Sequence, residues 1–267
     1  MKKVIIVGAS SGIGRSLAIE LSARGYEVAL LARRQAMLLE TAHLCVSKTH
    51  IQTIDMEQHL QAIDILTQLI AQMNGVDIII YNAGIGESSG KWEKENQMHQ
   101  INAVGFAAVA NFAFNYFRAN KKAGQIVGVS SVAGKRGMRH AIGYGATKAF
   151  MWNYMEGQRH KAVAEKLDIA ITDIRPGFID TDMTKGQKGM FWVQTSEKAA
   201  RQIADAIVAK KKTAYITKRW GIIAFFFGLL PDFIWLKTWY RAYKLATRTE
   251  CLITINISTW FSKWEQS

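Results

Sequence analysis

Apolar residues along this chain keep two alternating rhythms. Unbroken apolar runs occur at 4–7, in EVALLAR (27–33), in DIII (77–80), in QIVGVS (125–130) and in DIAITDI (168–174). Shorter segments near 50–54 and 213–217 extend the series. Such runs are short for helices and continuous rather than alternating, so they predict strands buried on both faces. The stretches between them carry apolar residues at helical spacing. Leu17, Ala18 and Leu21 form the first such set, and further helices are expected near 35–46, 58–73, 96–118, 143–166 and 196–210. Alternation of this kind predicts an α/β fold, a Rossmann-like doubly wound parallel sheet of about seven strands. Ligands of such sheets bind beyond the carboxyl ends of the strands.

Composition narrows the picture modestly. The 267 residues, 49% hydrophobic and 21% charged, suit one large globular domain with an appendage. Two prolines and the lack of a Ser/Gly-rich linker argue against a flexible two-domain layout. The expected division is a dinucleotide-binding catalytic domain over 1–217. An aromatic-rich, helical extension over 218–267 is expected to pack on it without forming an independent domain. Cys45 and Cys251 have no CxxC or His-rich neighbourhood, so no metal site is expected and a reducing, cytoplasmic setting is. The opening MKKVIIVGAS has too short an apolar run for a signal peptide and reads as a first strand. The net charge of +13 is concentrated late: ten Lys/Arg against three acids from residue 210 onward.

Three strand ends carry candidate chemistry. After the first strand comes Gly8-Ala9-Ser10-Ser11-Gly12-Ile13-Gly14. Glycines at a strand-to-helix turn let the backbone approach a pyrophosphate, and the helix N-terminus offers free N–H groups. The spacing is GxxxGxG, and a plain turn is the competing reading. The second strand ends in Arg33-Arg34, where a dinucleotide's adenosine ribose is expected. An acid there would bond the 2′-hydroxyl, whereas Arg33 points to a 2′-phosphate and so to NADP(H) over NAD(H). A solvated Arg pair is the alternative, but cations are mildly unfavourable at a helix start. Finally, Tyr144 and Lys148 lie one helical turn apart, and Ser131 follows the fifth apolar run.

Taken together, GASSGIG at 8–14, Asp55, Asn82-Ala83-Gly84, Asn102 in INAVG, Ser131 in VSSVAG, Tyr144-Gly-Ala-Thr-Lys148 and Pro176-Gly177-Phe-Ile179-Asp-Thr181 resemble the short-chain dehydrogenase/reductase family over about residues 1–217. The resemblance implies a role for each position. Gly8, Ser10, Ser11, Gly12, Ile13 and Gly14 would cradle the cofactor phosphates. Arg33, helped by Arg34 or Arg15, would meet the 2′-phosphate. Asp55 with Met56 would hold the adenine edge, and Asn82, Ala83 and Gly84 would lie along the cofactor. Pro176, Gly177, Ile179 and Thr181 would hold the nicotinamide carboxamide end. Asn102, Ser131, Tyr144 and Lys148 would form the catalytic tetrad, with Tyr144 and Lys148 also touching the nicotinamide ribose. In that scheme Lys148 lowers the phenol's pKa, Ser131 donates to the substrate oxygen and Asn102 holds a relay water. Two departures stand out. Ser11 occupies a place where NADP-using relatives often carry a base, and Tyr81 replaces a frequent Asn.

The implied reaction interconverts a ketone or aldehyde with its alcohol. The apolar loop 182–195, with Met183, Met190, Phe191, Trp192 and Val193, suggests a lipophilic substrate; packing against the C-terminal region is its other reading. Homodimers or tetramers are implied by resemblance. The contrasting reading is a cofactor-sensing or membrane-associated scaffold without catalysis. In the extension, GIIAFFFGLL is about half the length needed to span a bilayer. In 233–248, Lys237, Arg241, Lys244 and Arg248 face away from Trp235, Trp239, Ala242, Tyr243 and Ala246. That segment, and 219–248 as a whole, suits a membrane surface, a second subunit or the protein's own core. Nucleic acid is not expected, because no binding motif accompanies the charge. An edge strand is expected over 251–258.

Overall fold

The computed structural model describes residues 1–86, 89–185 and 190–237. The expected edge strand at 251–258 and most of the two-faced segment, 238–248, lie outside the described residues, as do 186–189 of the apolar loop.

The apolar runs become the strands of one parallel sheet. These are β1 (Lys3–Val7), β2 (Glu27–Ala32), β3 (Thr49–Thr53), β4 (Ile78–Tyr81), β5 (Gly124–Val129), β6 (Ile169–Pro176) and β9 (Thr213–Ile216), ordered 3-2-1-4-5-6-9. A separate two-stranded ribbon pairs β7 (Ile179–Asp180) with β8 (Gln194–Thr195). Order reverses between β1 and β4, which leaves a crevice at their carboxyl ends.

Helices cover both faces. On one side α3 (His59–Gln72), α5 (Phe106–Ala119) and α6 (Ile142–Ala164) pack Leu66, Leu69, Phe106, Phe117 and Met155 onto Ile5, Ile79, Ile126 and Ile171. On the other, α1 (Gly12–Ala23) and α7 (Ser196–Val208) pack Leu17, Leu21, Ile203 and Ile207 onto Val4, Ile6, Val127 and Ile174. Successive strand residues thus serve opposite cores, which is why the runs are apolar throughout. Thr195 starts α7 by accepting a hydrogen bond from the Lys198 N–H. α2 (Gln35–His43) completes this layer, α4 (Trp92–His99) packs beside α6 on the opposite side, and α8 (Arg219–Leu229) follows β9. A compact unit ends at Ala224, inside α8, and a second begins at Phe225.

One element departs from expectation. The long helix anticipated over 96–118 begins earlier, at Trp92, and is interrupted by a π-helical segment, Gln100–Gly105, before α5. The Tyr81 hydroxyl donates to the Ile101 carbonyl inside that segment. A carbonyl held sideways by a buried phenol is a local cause for the widened turn, and such turns recur at functional sites.

Candidate active site

A groove of about 300 Å³ runs across the carboxyl ends of β1, β4, β5 and β6. Its floor is the first strand-to-helix turn. Gly8 has a positive φ of 93° and a side chain there would collide with the Ala83 backbone. A side chain on Gly14 would strike the Gly8 carbonyl. The turn is pinned by Asn82, whose Nδ2 donates to that same carbonyl at 2.8 Å. Ser11 is extended, and no side chain caps α1. The free N–H groups of its first turn are therefore available to an anion. An uncapped helix start beside an all-backbone floor fits a dinucleotide's phosphates.

The two arginines at the end of β2 have different partners. Arg34 reaches over the loop and donates through Nη2 to Ser10 Oγ at 3.1 Å and Ser11 Oγ at 2.9 Å. Arg33, 51% exposed, pairs with Glu57 at 3.4 Å. Both line the groove. The guanidinium that the loop itself lacks at Ser11 thus arrives from the end of β2, through Arg34. The two side chains leave the end of β2 in different directions, one over the glycine turn and one toward Glu57. Asp55 and Met56 also line the groove, and Asp55 Oδ1 accepts from the Glu57 N–H at 3.1 Å.

The chemical end is built from β5, α6 and the π-helical turn. Ser131 follows β5 and accepts from the Ala133 N–H at 3.1 Å. One lone pair is thereby occupied, and its proton is left to point elsewhere. The hydroxyl donates to the Pro176 carbonyl at 3.4 Å, and its nearness to the Tyr144 phenol favours the ionised form of that phenol. The Lys148 Nζ lies 5.5 Å from the Tyr144 ring centre and donates to the Val129 carbonyl at 3.0 Å. Asn102 exchanges bonds with the Ile85 backbone, accepting from N–H at 2.9 Å and donating to C=O at 2.8 Å. Its amide thus holds the chain beside Gly84, whose Cα faces both Asn102 and Lys148. All four tetrad positions converge, although Asn102 stands behind the groove wall. Ser130 turns the other way, into a buried network with Asp173 and Trp152.

Burial governs the electrostatics. It lowers the Lys148 ammonium to about 8, with Asp173 pulling upward. It raises the Tyr144 phenol, and the nearby Ser131 hydroxyl offsets only part of that. Desolvation is the larger influence on this phenol, and its neighbours act against it. A phenol so placed is a proton donor at neutral pH. Tyr81 went unassigned in the sequence beyond its being a departure, yet it braces the turn that carries Asn102.

The far wall combines Pro176, Gly177, Ile179, Thr181 and Met183. Trp220 packs directly on Gly177, where any side chain would overlap its ring. Phe178, Phe191 and Trp192 surround Trp220 with ring centroids 5.1 to 6.1 Å away. Phe191 and Trp192 thus do pack against the start of the C-terminal region, while Met183 faces the groove and Gly86. Among the described residues no group of three or more His, Cys, Asp or Glu side chains is placed to hold a metal.

Comparison with known proteins agrees with this geometry. A family model described as short chain dehydrogenase matches residues 2–190. An uncharacterized oxidoreductase of Myxococcus xanthus is 31% identical over 191 residues, covering 68% of this chain and 74% of its own. Hydroxysteroid 11-beta-dehydrogenase 1-like protein B of Xenopus laevis is 23% identical over 96% of this chain and 88% of its own. Among solved structures, an alcohol dehydrogenase from the archaeon Thermococcus sibiricus, complexed with 5-hydroxy-NADP, superposes with a TM-score of 0.70 at 21% identity. That match spans 80% of this chain and 95% of the other, and it shows the shared fold.

Proposed function

Because the chain belongs to the short-chain dehydrogenase/reductase family and is an NAD(P)-dependent oxidoreductase, we propose that it interconverts a lipophilic ketone or aldehyde with its alcohol, using NADP(H). The observation that carries the reading is that Ser131, Tyr144 and Lys148 line one end of a groove floored by glycine backbone, with Lys148 Nζ 5.5 Å from the Tyr144 ring centre. The bound nicotinamide supplies or accepts the hydride. The chain's own groups manage the substrate oxygen. Ser131, its lone pair engaged by Ala133, donates to that oxygen and steadies the charge that develops there. Tyr144, protonated at neutral pH, gives it the proton in the reductive direction. The Lys148 charge then favours the tyrosinate left behind, and reprotonation follows from solvent past Lys148 and Asn102. In oxidation the same groups act in reverse.

Support for NADP(H) is the pair of cations at the end of β2, with Arg34 placed on the phosphate loop. Support for a lipophilic substrate is Met183 with Ile85 and Ile179 in the groove wall, and a full-length relative named for hydroxysteroids. The family commonly assembles through its two long helices. Here α5 and α6 are those helices, and α6 leaves Phe150 40% exposed; a monomer in light scattering would remove that part of the reading. No helix among the described residues is long and apolar enough to cross a membrane. Peripheral contact is proposed instead, through α8: Trp220 and Ala224 are buried, and on the opposite side Ile222, Phe225, Phe226 and Leu229 are each 58–62% exposed.

Tyr144→Phe tests the catalytic core. With NADPH and a panel of hydrophobic ketones, the variant is expected to lose on the order of 10²–10⁴ in kcat/KM. Equal activity of variant and wild type would refute the assignment.

A further inference from the structure

Asp173 takes no part in the scheme above, yet it is 0% exposed and both its oxygens are engaged. It lies on β6 in register with Gly128 of β5, one residue before Val129, the acceptor of the Lys148 ammonium. Oδ1 accepts from Ser130 Oγ at 2.5 Å, and Ser130 Oγ in turn accepts from Trp152 Nε1 at 2.9 Å. Ser130 directly precedes Ser131, and Trp152 is one helical turn beyond Lys148. Oδ2 accepts from Arg175 Nε at 2.6 Å. The Arg175 guanidinium lies 3.5 Å from the Trp152 ring centre, and its Nη1 donates to the Tyr215 hydroxyl at 3.0 Å. One carboxylate thereby ties β5, β6, β9 and α6 together immediately behind the two catalytic hydroxyls.

A buried ion pair is a poor way to stabilise a fold, since apolar replacements often do as well. The exchange makes sense where another buried charge must be sustained. We propose that Asp173 is a positioning residue of this active site, fixing the Ser131 end of β5 and the Lys148 turn of α6 and supplying the negative charge that the buried Lys148 ammonium is set against. The inference rests on the reading of Lys148 as a catalytic group. The charged groups facing the carboxylate are few. Lys148 and Arg159 approach from α6 and Arg175 from its own strand; β5 contributes no titratable side chain. Facing Lys148 are the Tyr144 phenol on its own helix and Asp173. Burial drives Lys148 down to about 8, and the Asp173 field opposes that fall. Burial likewise raises Asp173, with Arg175, Ser130 and Arg159 holding it toward the ionised form. The sign follows: with Asp173 neutralised, Lys148 gives up its proton at lower pH.

The test reads Lys148 directly in the full chain without cofactor. Protein labelled at the lysine Cε carbons is titrated by NMR, with the Lys148 signal assigned by its loss in Lys148→Arg. In Asp173→Asn the Lys148 midpoint is expected to fall below the wild-type value. In Ser130→Ala, which breaks the bond but keeps the charge, the midpoint is expected to stay. If Asp173→Asn does not fold because Arg175 is left unpaired, Asp173→Asn with Arg175→Met removes both charges and is expected to lower the midpoint too. In turnover, each unit by which the midpoint falls brings the alkaline loss of kcat/KM about one pH unit earlier. An unmoved midpoint when the carboxylate is removed overturns the proposal, as does an equal fall in Ser130→Ala. A wild type inert toward every ketone, with a midpoint that still responds to Asp173→Asn, would instead remove the catalytic reading and leave the electrostatic coupling standing.

Discussion

At the carboxyl ends of β5 and β6 the protein buries charge, and along α8 it exposes hydrocarbon. Lys148 is 4% and Asp173 0% exposed, while Phe225 is 62% exposed. Both arrangements run against the usual partition of side chains. They differ in how the cost is met. Around Lys148 and Asp173 each polar atom has a named partner: the Val129 carbonyl, the Ser130 hydroxyl, the Arg175 guanidinium. That region is complete within the fold, and its charges are turned toward one another and toward the groove. Among the described residues the outer face of α8 is largely exposed, and Lys218 and Arg219 stand at the start of the helix, where the dipole disfavours cations. The contrast separates two kinds of exception: one is closed within the fold, and the other is turned to solvent, where the proposed membrane contact would use it.

The largest effect that would sharpen this contrast comes from Lys148→Met. Loss of the ammonium is expected to cost on the order of 10²–10⁴ in turnover. Stability is expected to move the other way. Burial holds Lys148 near 8 instead of its ordinary 10.5, a penalty of about 3 kcal/mol at neutral pH. Losing the bond to Val129 returns about 1–3 kcal/mol of that. The net is a gain of about 1 kcal/mol, or a Tm raised by about 2–4 °C. The folded pKa is depressed below the unfolded one, so the penalty is full below pH 8 and relieved as pH rises from about 8 toward 10.5. The Tm advantage of the variant is therefore expected to shrink over that window. A variant less stable than wild type at every pH would show that Lys148 is a structural cation and not a strained functional one.

How much of this could be read beforehand depends on how local each cause is. The strands were legible because burial on both faces leaves an unbroken apolar run, as in Ile78–Ile80. The glycine floor and the Tyr144/Lys148 spacing were legible because each is set within a few residues. The π-helical turn at Gln100–Gly105 was not, since the group that bonds its carbonyl lies twenty residues upstream at Tyr81. The two-residue strands β7 and β8 are too short to leave any period. Asp173 was hidden in plain view within DIAITDI: an acid inside a strand-like run gives no sign of burial until the neighbouring strand brings Ser130 to it. That Arg34 and not Arg33 lies on Ser10 and Ser11 depends on which way two adjacent side chains leave the end of β2. α8 is apolar on both sides, so its sequence could not say which side is turned to solvent.

A smaller effect is expected at those two arginines. Arg34→Ala removes the guanidinium that lies on Ser10 and Ser11, and NADPH affinity is expected to fall about tenfold, in line with one charge-assisted hydrogen bond. NADH affinity is expected to change little, because NADH has no 2′-phosphate to lose. Arg33→Ala is expected to cost less, since Glu57 already shares that charge. Calorimetric titration of both cofactors against both variants decides it. Equal losses for NADPH and NADH, or a larger loss at Arg33, would return the leading role to Arg33 or remove the phosphate reading altogether.

The smallest effect on the folded protein, and the most telling for the comparison, belongs to α8. Phe225→Glu with Phe226→Glu changes two side chains that are 62% and 58% exposed. Such substitutions ordinarily move stability by no more than about 0.5 kcal/mol each. Turnover of a water-soluble ketone is expected to be unchanged, because neither residue lines the groove. Sedimentation with vesicles of phosphatidylcholine and phosphatidylserine is expected to be lost, since two carboxylates oppose both the apolar insertion and the pull of Lys218 and Arg219 toward anionic headgroups. A collapse in Tm would mean that the face is covered within the protein or by a second copy. Undiminished vesicle binding would mean that the lipid contact, if it exists, is made elsewhere. Either result would dissolve the distinction between a closed exception and an open one, because α8 would then also be settled from within or would have no membrane to meet.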